Sequence, residues 1–168
     1  YESQFDNLGF ERSSAGWEVV VGATVDLGGI TQLEGFGGFR AQDYRDARLG
    51  NIRGAMFGLS GTWNPYQPLY IKPFVRRTIE ETNFGGFSGY WSTVLGVNVD
   101  YRFRPNVRVN AGAAYGFDDY RLNNAVPGTS ARNDRVLVLE IGVQYRPTEN
   151  FFVGPTYQYT NRDSNVAG

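Results

Sequence analysis

The sequence predicts an all-β fold, a transmembrane antiparallel up-and-down β-barrel with about eight full strands, and three observations lead there. From Trp17 onward, the odd-numbered residues of nearly every strand-like segment are apolar or aromatic, and the even-numbered ones are small, polar or charged. Short and long polar connections alternate along the chain. The composition, 41% hydrophobic and 15% aromatic with 22 Gly, supplies one bulky face and one face rich in glycine and charge. A period of two means a sheet with one apolar side. In a soluble barrel the bulky side would fill the inside. Here it carries so many large residues, and the other so many glycines and paired charges, that the sheet reads inside out, with lipid outside and a polar lumen within.

The first strand, Trp17 to Leu27, sets Trp17, Val19, Val21, Ala23, Val25 and Leu27 against Glu18, Val20, Gly22, Thr24 and Asp26. Asp26 to Gly29 reads as a tight turn into the second strand, Ile30 to Gln42. After a long polar connection, Asp43 to Arg53, the third strand covers Gly54 to Trp63. Asn64-Pro-Tyr-Gln-Pro68 turns it into the fourth, Leu69 to Thr82. The connection Asn83 to Tyr90 is again long. The fifth strand, Trp91 to Phe103, has the clearest alternation, and Arg104-Pro-Asn106 reverses it into the sixth, Val107 to Asp119. A long stretch, Tyr120 to Asp134, precedes the seventh, Arg135 to Arg146, and Pro147 to Asn150 leads into the eighth, Phe151 to Arg162. Proline follows the descending strands, where a missing amide costs least. Short turns define the periplasmic side of such a barrel and long loops the extracellular side. Arg77 and Glu81 have the wrong parity for lipid, which predicts either that the strand has left the bilayer there or that a bulge shifts it. Tyr1 to Phe5 reads as the top of an upward strand, and Asn165 to Gly168 follows another. These ends give the expectation that residues 1–168 form one barrel domain, part of a larger barrel.

Charge and residue types exclude other classes. A net charge of −1 leaves no basic stripe for nucleic acid. With no Cys and no His, there is no disulfide scaffold, thiolate metal site, Cys nucleophile or histidine base. No run of about 18 apolar residues suggests a membrane helix, and the N-terminal residues do not follow a signal-peptide pattern. Strands of about 9–11 residues still cross a bilayer. Gly35-Phe-Gly-Gly38 and Gly85-Gly-Phe-Ser-Gly89 lack the helix and lysine of a phosphate loop. They read as wall glycines that make room for large neighbours. Asp43, Asp46, Asp118 and Asp119 offer oxygens for Ca²⁺, with solvated loops as the ordinary reading. The sequence thus predicts no enzyme, no catalytic residue, no cofactor and no metal.

By parity, Glu18, Glu34, Arg40, Lys72, Arg76, Glu80, Asp100, Arg102, Arg108, Asp118, Glu140 and Arg146 line the inner face, with Asp26 and Arg162 beside them. In a barrel of eight to ten strands they pack as a salt-bridged plug; in one of twelve or more they line water. Lys72 with Arg76 and Arg102 with Arg108 are candidate basic tracks, which Glu34, Glu80, Asp100 and Glu140 are placed to neutralise, so ion selectivity stays open. Aromatic rings favour the headgroup level. Trp17, Phe39, Trp91, Tyr115, Phe117, Tyr157 and Tyr159 are expected near the outer interface, and Trp63, Tyr101, Phe103, Tyr145 and Phe151 near the inner one.

The stretch Asp134-Arg135 through Leu139-Glu-Ile-Gly-Val-Gln-Tyr-Arg-Pro147, then Phe151-Phe-Val-Gly-Pro-Thr-Tyr-Gln-Tyr159 and Asn161-Arg-Asp-Ser-Asn165, resembles the C-terminal part of the β-barrel porins, or outer-membrane β-barrel proteins, of alphaproteobacteria. Phe39-Arg-Ala-Gln-Asp-Tyr-Arg-Asp46 resembles an upstream strand and loop of the same group. Members end with one more strand, which this sequence lacks. The resemblance implies a Gram-negative outer-membrane location and a pore function, and supplies no catalytic residues. The leading expectation is a porin-like barrel for passive diffusion of small hydrophilic solutes. The alternative is a plugged structural barrel that anchors an envelope assembly. A soluble lipocalin-like barrel ranks third, because its greasy face would have to pack inside. The partners implied are the lipid bilayer and, left open, other envelope proteins or further copies of the chain; nucleic acid is not among them.

Overall fold

Nine strands follow one another in chain order in a computed structural model that describes residues 13–28, 31–46, 49–82, 87–122 and 131–165. They are β1 (Ser14–Asp26), β2 (Thr31–Tyr44), β3 (Ile52–Tyr66), β4 (Leu69–Glu81), β5 (Phe87–Arg104), β6 (Val107–Leu122), β7 (Asn133–Thr148), β8 (Phe151–Val153) and β9 (Thr156–Ser164). The expected strand top at Tyr1 to Phe5 and the glycines Gly85 and Gly86 lie outside the described residues. Every pairing is antiparallel between sequence neighbours, except that β9 pairs with β7. The result, among the described residues, is an up-and-down sheet with β1 at one edge that does not close on itself.

The short connections all fall at one end. In the first, the Leu27 amide donates to the Thr31 carbonyl at 2.8 Å. Gly28 takes a φ of +87° there, a conformation that costs a residue with a Cβ far more. Between β3 and β4 the register shifts between Trp63 and Tyr66. Pro65 has no amide to give the ladder, and the Asn64 side-chain amide instead reaches the Leu69 carbonyl at 2.6 Å. The shift also brings Tyr66 opposite Leu69 and onto the odd face. Pro105 and Asn106 form the β5–β6 turn, and Glu149 and Asn150 the β7–β8 turn.

The strands outrun their periodic cores. β5 begins at Phe87 rather than Trp91, and β7 at Asn133 rather than Arg135. Their 18 and 16 residues exceed the roughly 9–11 that a tilted strand needs to cross a bilayer. The expected eighth strand is two pieces. Pro155 cannot donate, and a Cβ on Gly154 would lie 2.7 Å from the Val143 carbonyl oxygen, so this dipeptide leaves the ladder. The Val143 amide bridges the gap by donating to the Pro155 carbonyl at 3.1 Å. β8 and β9 therefore continue one line, Tyr145 opposite Val153 and Gly142 opposite Thr156, in unchanged register.

Register carries parity across the whole sheet. Val99, Ala111, Ile141 and Tyr157 form one row of direct partners, and Val25, Leu33 and Gly61 another. Among the described residues, every large exposed hydrophobic is odd-numbered except Val20, Tyr66 and Phe152, and Tyr66 reaches the odd face through its bulge. The buried cluster is small: Ile52, Met56, Ile79 and Trp91, with Tyr44 against it. A continuous apolar surface of this extent needs a cover, since soluble monomers rarely expose patches above a few hundred Å².

That cluster mixes parities, which explains Arg77. Pairing between β3 and β4 stops at Phe57 and Arg77, although β3 continues back to Ile52 and β4 on to Glu81. Pairing between β4 and β5 runs unbroken to Glu81 and Gly89, so no bulge intervenes. Beyond Arg77 the two strands part, and the odd face of the β4–β5 tip, with Ile79 and Trp91, packs on the even face of β3, with Ile52 and Met56. The Trp91 ring covers Gly54, and Ile52 covers Gly89. Arg77 sits at the fork, its guanidinium 4.8 Å from the Trp91 ring and its Nη1 donating to Thr93 Oγ1 at 3.1 Å.

Candidate functional site

The even face carries the charges, and pairing places them at three heights. At the end of the long connections, Asp118 stands directly opposite Asp134. Two adjacent carboxylates repel, and two arginines settle the pair. Arg132 donates through Nε and Nη2 to the two oxygens of Asp134 at 2.9 and 2.7 Å. Arg162, diagonal on β9, lies 3.6 Å from Asp118 and 3.8 Å from Asp134. The Asp134 side chain is 0% exposed, so this fork satisfies a carboxylate that burial would otherwise penalise. Arg132 lies in the connection before β7, and the hydrogen bond to Asp134 raises its pKa above the usual arginine value. Its guanidinium also covers the Tyr120 ring at 5.0 Å, and that ring stacks on Tyr90 at 4.7 Å. Glu18 and Arg40 are direct partners across β1 and β2, 4.0 Å apart. Thr78 Oγ1 lies 3.1 Å from Glu80 Oε1 as a hydrogen-bond donor.

At mid-height the face is neutralised and partly filled. Lys72 Nζ lies 2.7 Å from Asp100 Oδ2. Asn110 donates to Glu140 at 3.3 Å. Glu34 and Arg76 border a recess of about 300 Å³ with Phe36, Ser60 and Phe74. Phe36 lies over Gly58, and a Cβ on Gly96 would meet the Phe74 ring at 2.8 Å. These phenyl rings have even parity. Glycine opposite each one lets it lie flat on the wall.

At the short-turn end the balance is one-sided. Arg102 and Arg108 are direct partners, and with Arg104, Arg146, Asn106 and Gln144 they border a recess of about 440 Å³. Lys72 is tied to Asp100, so Lys72 and Arg76 do not make a continuous basic track, whereas Arg102 and Arg108 do stand together. Glu34, Arg76, Glu80, Arg102, Arg108, Glu140 and Arg146 are all exposed.

The aromatic residues on the odd face fall in two bands with two departures. Trp17 stacks on Phe39 at 5.6 Å, and Tyr115 meets Phe117 edge-on at 4.8 Å, both toward the long connections. Trp63, Phe103, Tyr145 and Phe151 are exposed toward the short turns, with Tyr101 6.3 Å from Phe103. Trp91, expected in the outer band, is only 5% exposed and belongs to the buried cluster, because the strand fork turns its face inward. Tyr157, also expected there, pairs with Ile141 in mid-strand, because the line of β8 and β9 runs from Phe151 to Ser164 and Tyr157 falls near its middle.

Sequence reasoning missed Arg132, Asp134 and Arg104. Asp134 has the right parity for the charged face, but β7 starts earlier than its apolar alternation, so the sequence pattern leaves Asp134 in the connection before it. Asp43, a candidate for Ca²⁺, lies 2.7 Å from Arg53. The described residues contain no group of three or more acidic side chains able to hold a metal.

The described sheet thus presents a water-accessible charged face and an exposed apolar face. No curated protein and no solved structure matches the chain. One family model, described as Putative beta-barrel porin 2, matches residues 1–168, and the chain belongs to that family.

Proposed function

We propose that this protein is a porin of the Gram-negative outer membrane that passes small hydrophilic solutes by passive diffusion, with no reaction and no cofactor. The observation that carries this reading is the division of the sheet into an exposed apolar odd face and a charged even face that keeps access to water. The odd face meets the hydrocarbon and the even face lines the channel. Glu18, Glu34, Arg40, Lys72, Arg76, Glu80, Asp100, Arg102, Arg108, Asp118, Glu140 and Arg146 are then the pore-lining charges. The membership in a porin family and the strict alternation of short and long connections support the same assignment, with the short turns in the periplasm.

A second reading, a plugged barrel that anchors an envelope assembly, is favoured by Phe36, Phe74 and the Asp118–Arg162–Asp134–Arg132 network, which fill part of the even face. Single-channel recording of the purified protein in a planar bilayer separates the two. Stable ohmic steps support the pore. A correctly folded, inserted and silent protein overturns it in favour of the anchor.

A further inference from the structure

Among the described residues, the arginines at the short-turn end are gathered around one recess with no carboxylate in its lining. At the opposite end Arg132 and Arg162 are paired with carboxylates, and at mid-height Lys72 holds Asp100. Arg102, Arg104, Arg108 and Arg146 form no ion pair with any described residue. Like charges directly opposite one another in an antiparallel pair are destabilising, and Arg102 faces Arg108 in that way. Arg146 joins them from β7: its amide donates to the Asn106 carbonyl at 2.8 Å, which fixes its backbone beside the β5–β6 turn. The acids within reach are otherwise engaged or apart. Asp100 is held by Lys72 and Glu140 by Asn110, and Glu149 in the neighbouring turn makes no ion pair with them.

We propose that Arg102, Arg108 and Arg146, with Arg104 at the lip, form a binding site for the phosphate group of a soluble anionic solute at the short-turn mouth of the pore. The inference rests on the pore reading above and adds its substrate class. Guanidinium forks match the oxygens of phosphate in paired hydrogen bonds, and the amides of Asn106 and Gln144 border the same recess of about 440 Å³. The rings of Tyr70 and Phe103 lie 6.0 Å from the Arg102 guanidinium and 5.7 Å from that of Arg104, which limits how far those side chains stray. Arg102 and Arg108 stand on the even face with Gln144, opposite the face of the exposed Tyr145, while Arg104 lies opposite Val107 beside the Phe103 ring at the rim, so the phosphate held on the even face comes from water rather than from a lipid headgroup. An anion held there relieves the repulsion that the arginines otherwise share.

The test is block of the chloride current by inorganic pyrophosphate in neutral phosphatidylcholine bilayers, together with the reversal potential in a KCl gradient. The expected result is anion preference, pyrophosphate block on addition to the short-turn side, and loss of block by about tenfold or more in Arg108→Gln/Arg146→Gln, as expected for the loss of charged hydrogen bonds. Arg108→Lys/Arg146→Lys retains the charge without the fork and gives an intermediate block. Channels that conduct without any pyrophosphate effect, or with equal block in the double Gln variant, overturn the site and leave the pore reading standing. Loss of block on adding anionic lipid assigns the arginines to headgroups and also overturns it. Calorimetric titration of pyrophosphate into the folded, detergent-solubilised protein gives a readout that does not need conduction: binding by the parent chain and none by the double Gln variant supports the site even if the channel is silent, and no binding by either overturns it.

Discussion

Replacing Ile141 by arginine tests the face assignment where it is most exposed to error. Ile141 is 53% exposed on the odd face of β7 and lies between Ala111 and Tyr157. The apolar run of β7 from Leu137 to Tyr145 covers about 27 Å at about 3.4 Å per residue. A tilt of about 40° reduces this to about 21 Å along the membrane normal, close to the roughly 25 Å belt of an outer-membrane barrel. Ile141 stands at its centre, where an arginine costs about 2–4 kcal/mol. By 1.36 kcal/mol per decade, that is about a 30- to 900-fold fall in the ratio of folded to unfolded protein. The assay is reversible denaturant titration in phosphatidylcholine vesicles, followed by tryptophan fluorescence. Two controls use the same residue type. Arginine at Tyr145, at the edge of the belt, carries a charge cost of only about 0–1 kcal/mol. Gln158→Arg, on the even face directly opposite Glu140, stays within about 1 kcal/mol of the parent because the new charge meets water and a carboxylate. A protein core would penalise the first two positions alike, whereas lipid penalises them by depth. Equal losses at Ile141 and Tyr145, or tolerance of arginine at Ile141, would refute the reasoning.

Other substitutions probe the packing of each height. Gly96→Ala is expected to cost about 1–3 kcal/mol, since its Cβ would lie 2.6 Å from the Ala113 oxygen and 2.8 Å from Phe74; Gly37→Ala, with nothing within 4 Å, should be neutral or stabilising in the same titration. Arg132→Gln leaves the buried Asp134 with less compensation and should cost about 1.5–3 kcal/mol. Lys72→Gln removes a half-exposed pair and should cost under about 1 kcal/mol, so an equal loss at the two sites would contradict the contrast. Trp91→Ala should cost about 3–5 kcal/mol as a core deletion, well above Trp17→Ala at a residue 57% exposed, as read from denaturation midpoints.

The face of each strand was legible in the sequence because side-chain alternation is a local property of extended backbone. Val107 to Phe117 keeps the same odd and even sets in the sheet that the chain displays on paper. Strand ends were less legible. β7 gains Asn133 and Asp134 through pairing with β6 and β9, and no alternation marks that gain. Trp91 shows where local pattern fails outright. Its parity is that of Leu95 and Val97, yet the parting of β3 and β4 above Arg77 turns it from the outer surface into the buried cluster. The sequence carried one sign of this, the misplaced charge of Arg77. The arginine recess was half visible: Arg102 and Arg108 stood on one parity, but the engagement of Asp100 by Lys72 depends on a diagonal between β4 and β5 that register alone reveals.

The chain has no native cysteine, so single cysteines placed in turn from Val107 to Phe117 report each position separately in the reconstituted protein. The account predicts that cysteines at odd positions are quenched by lipid-soluble probes and those at even positions react with water-soluble maleimide, alternating at every step. Labelling that does not alternate, or alternates with the faces exchanged, would contradict the division of this sheet between lipid and water.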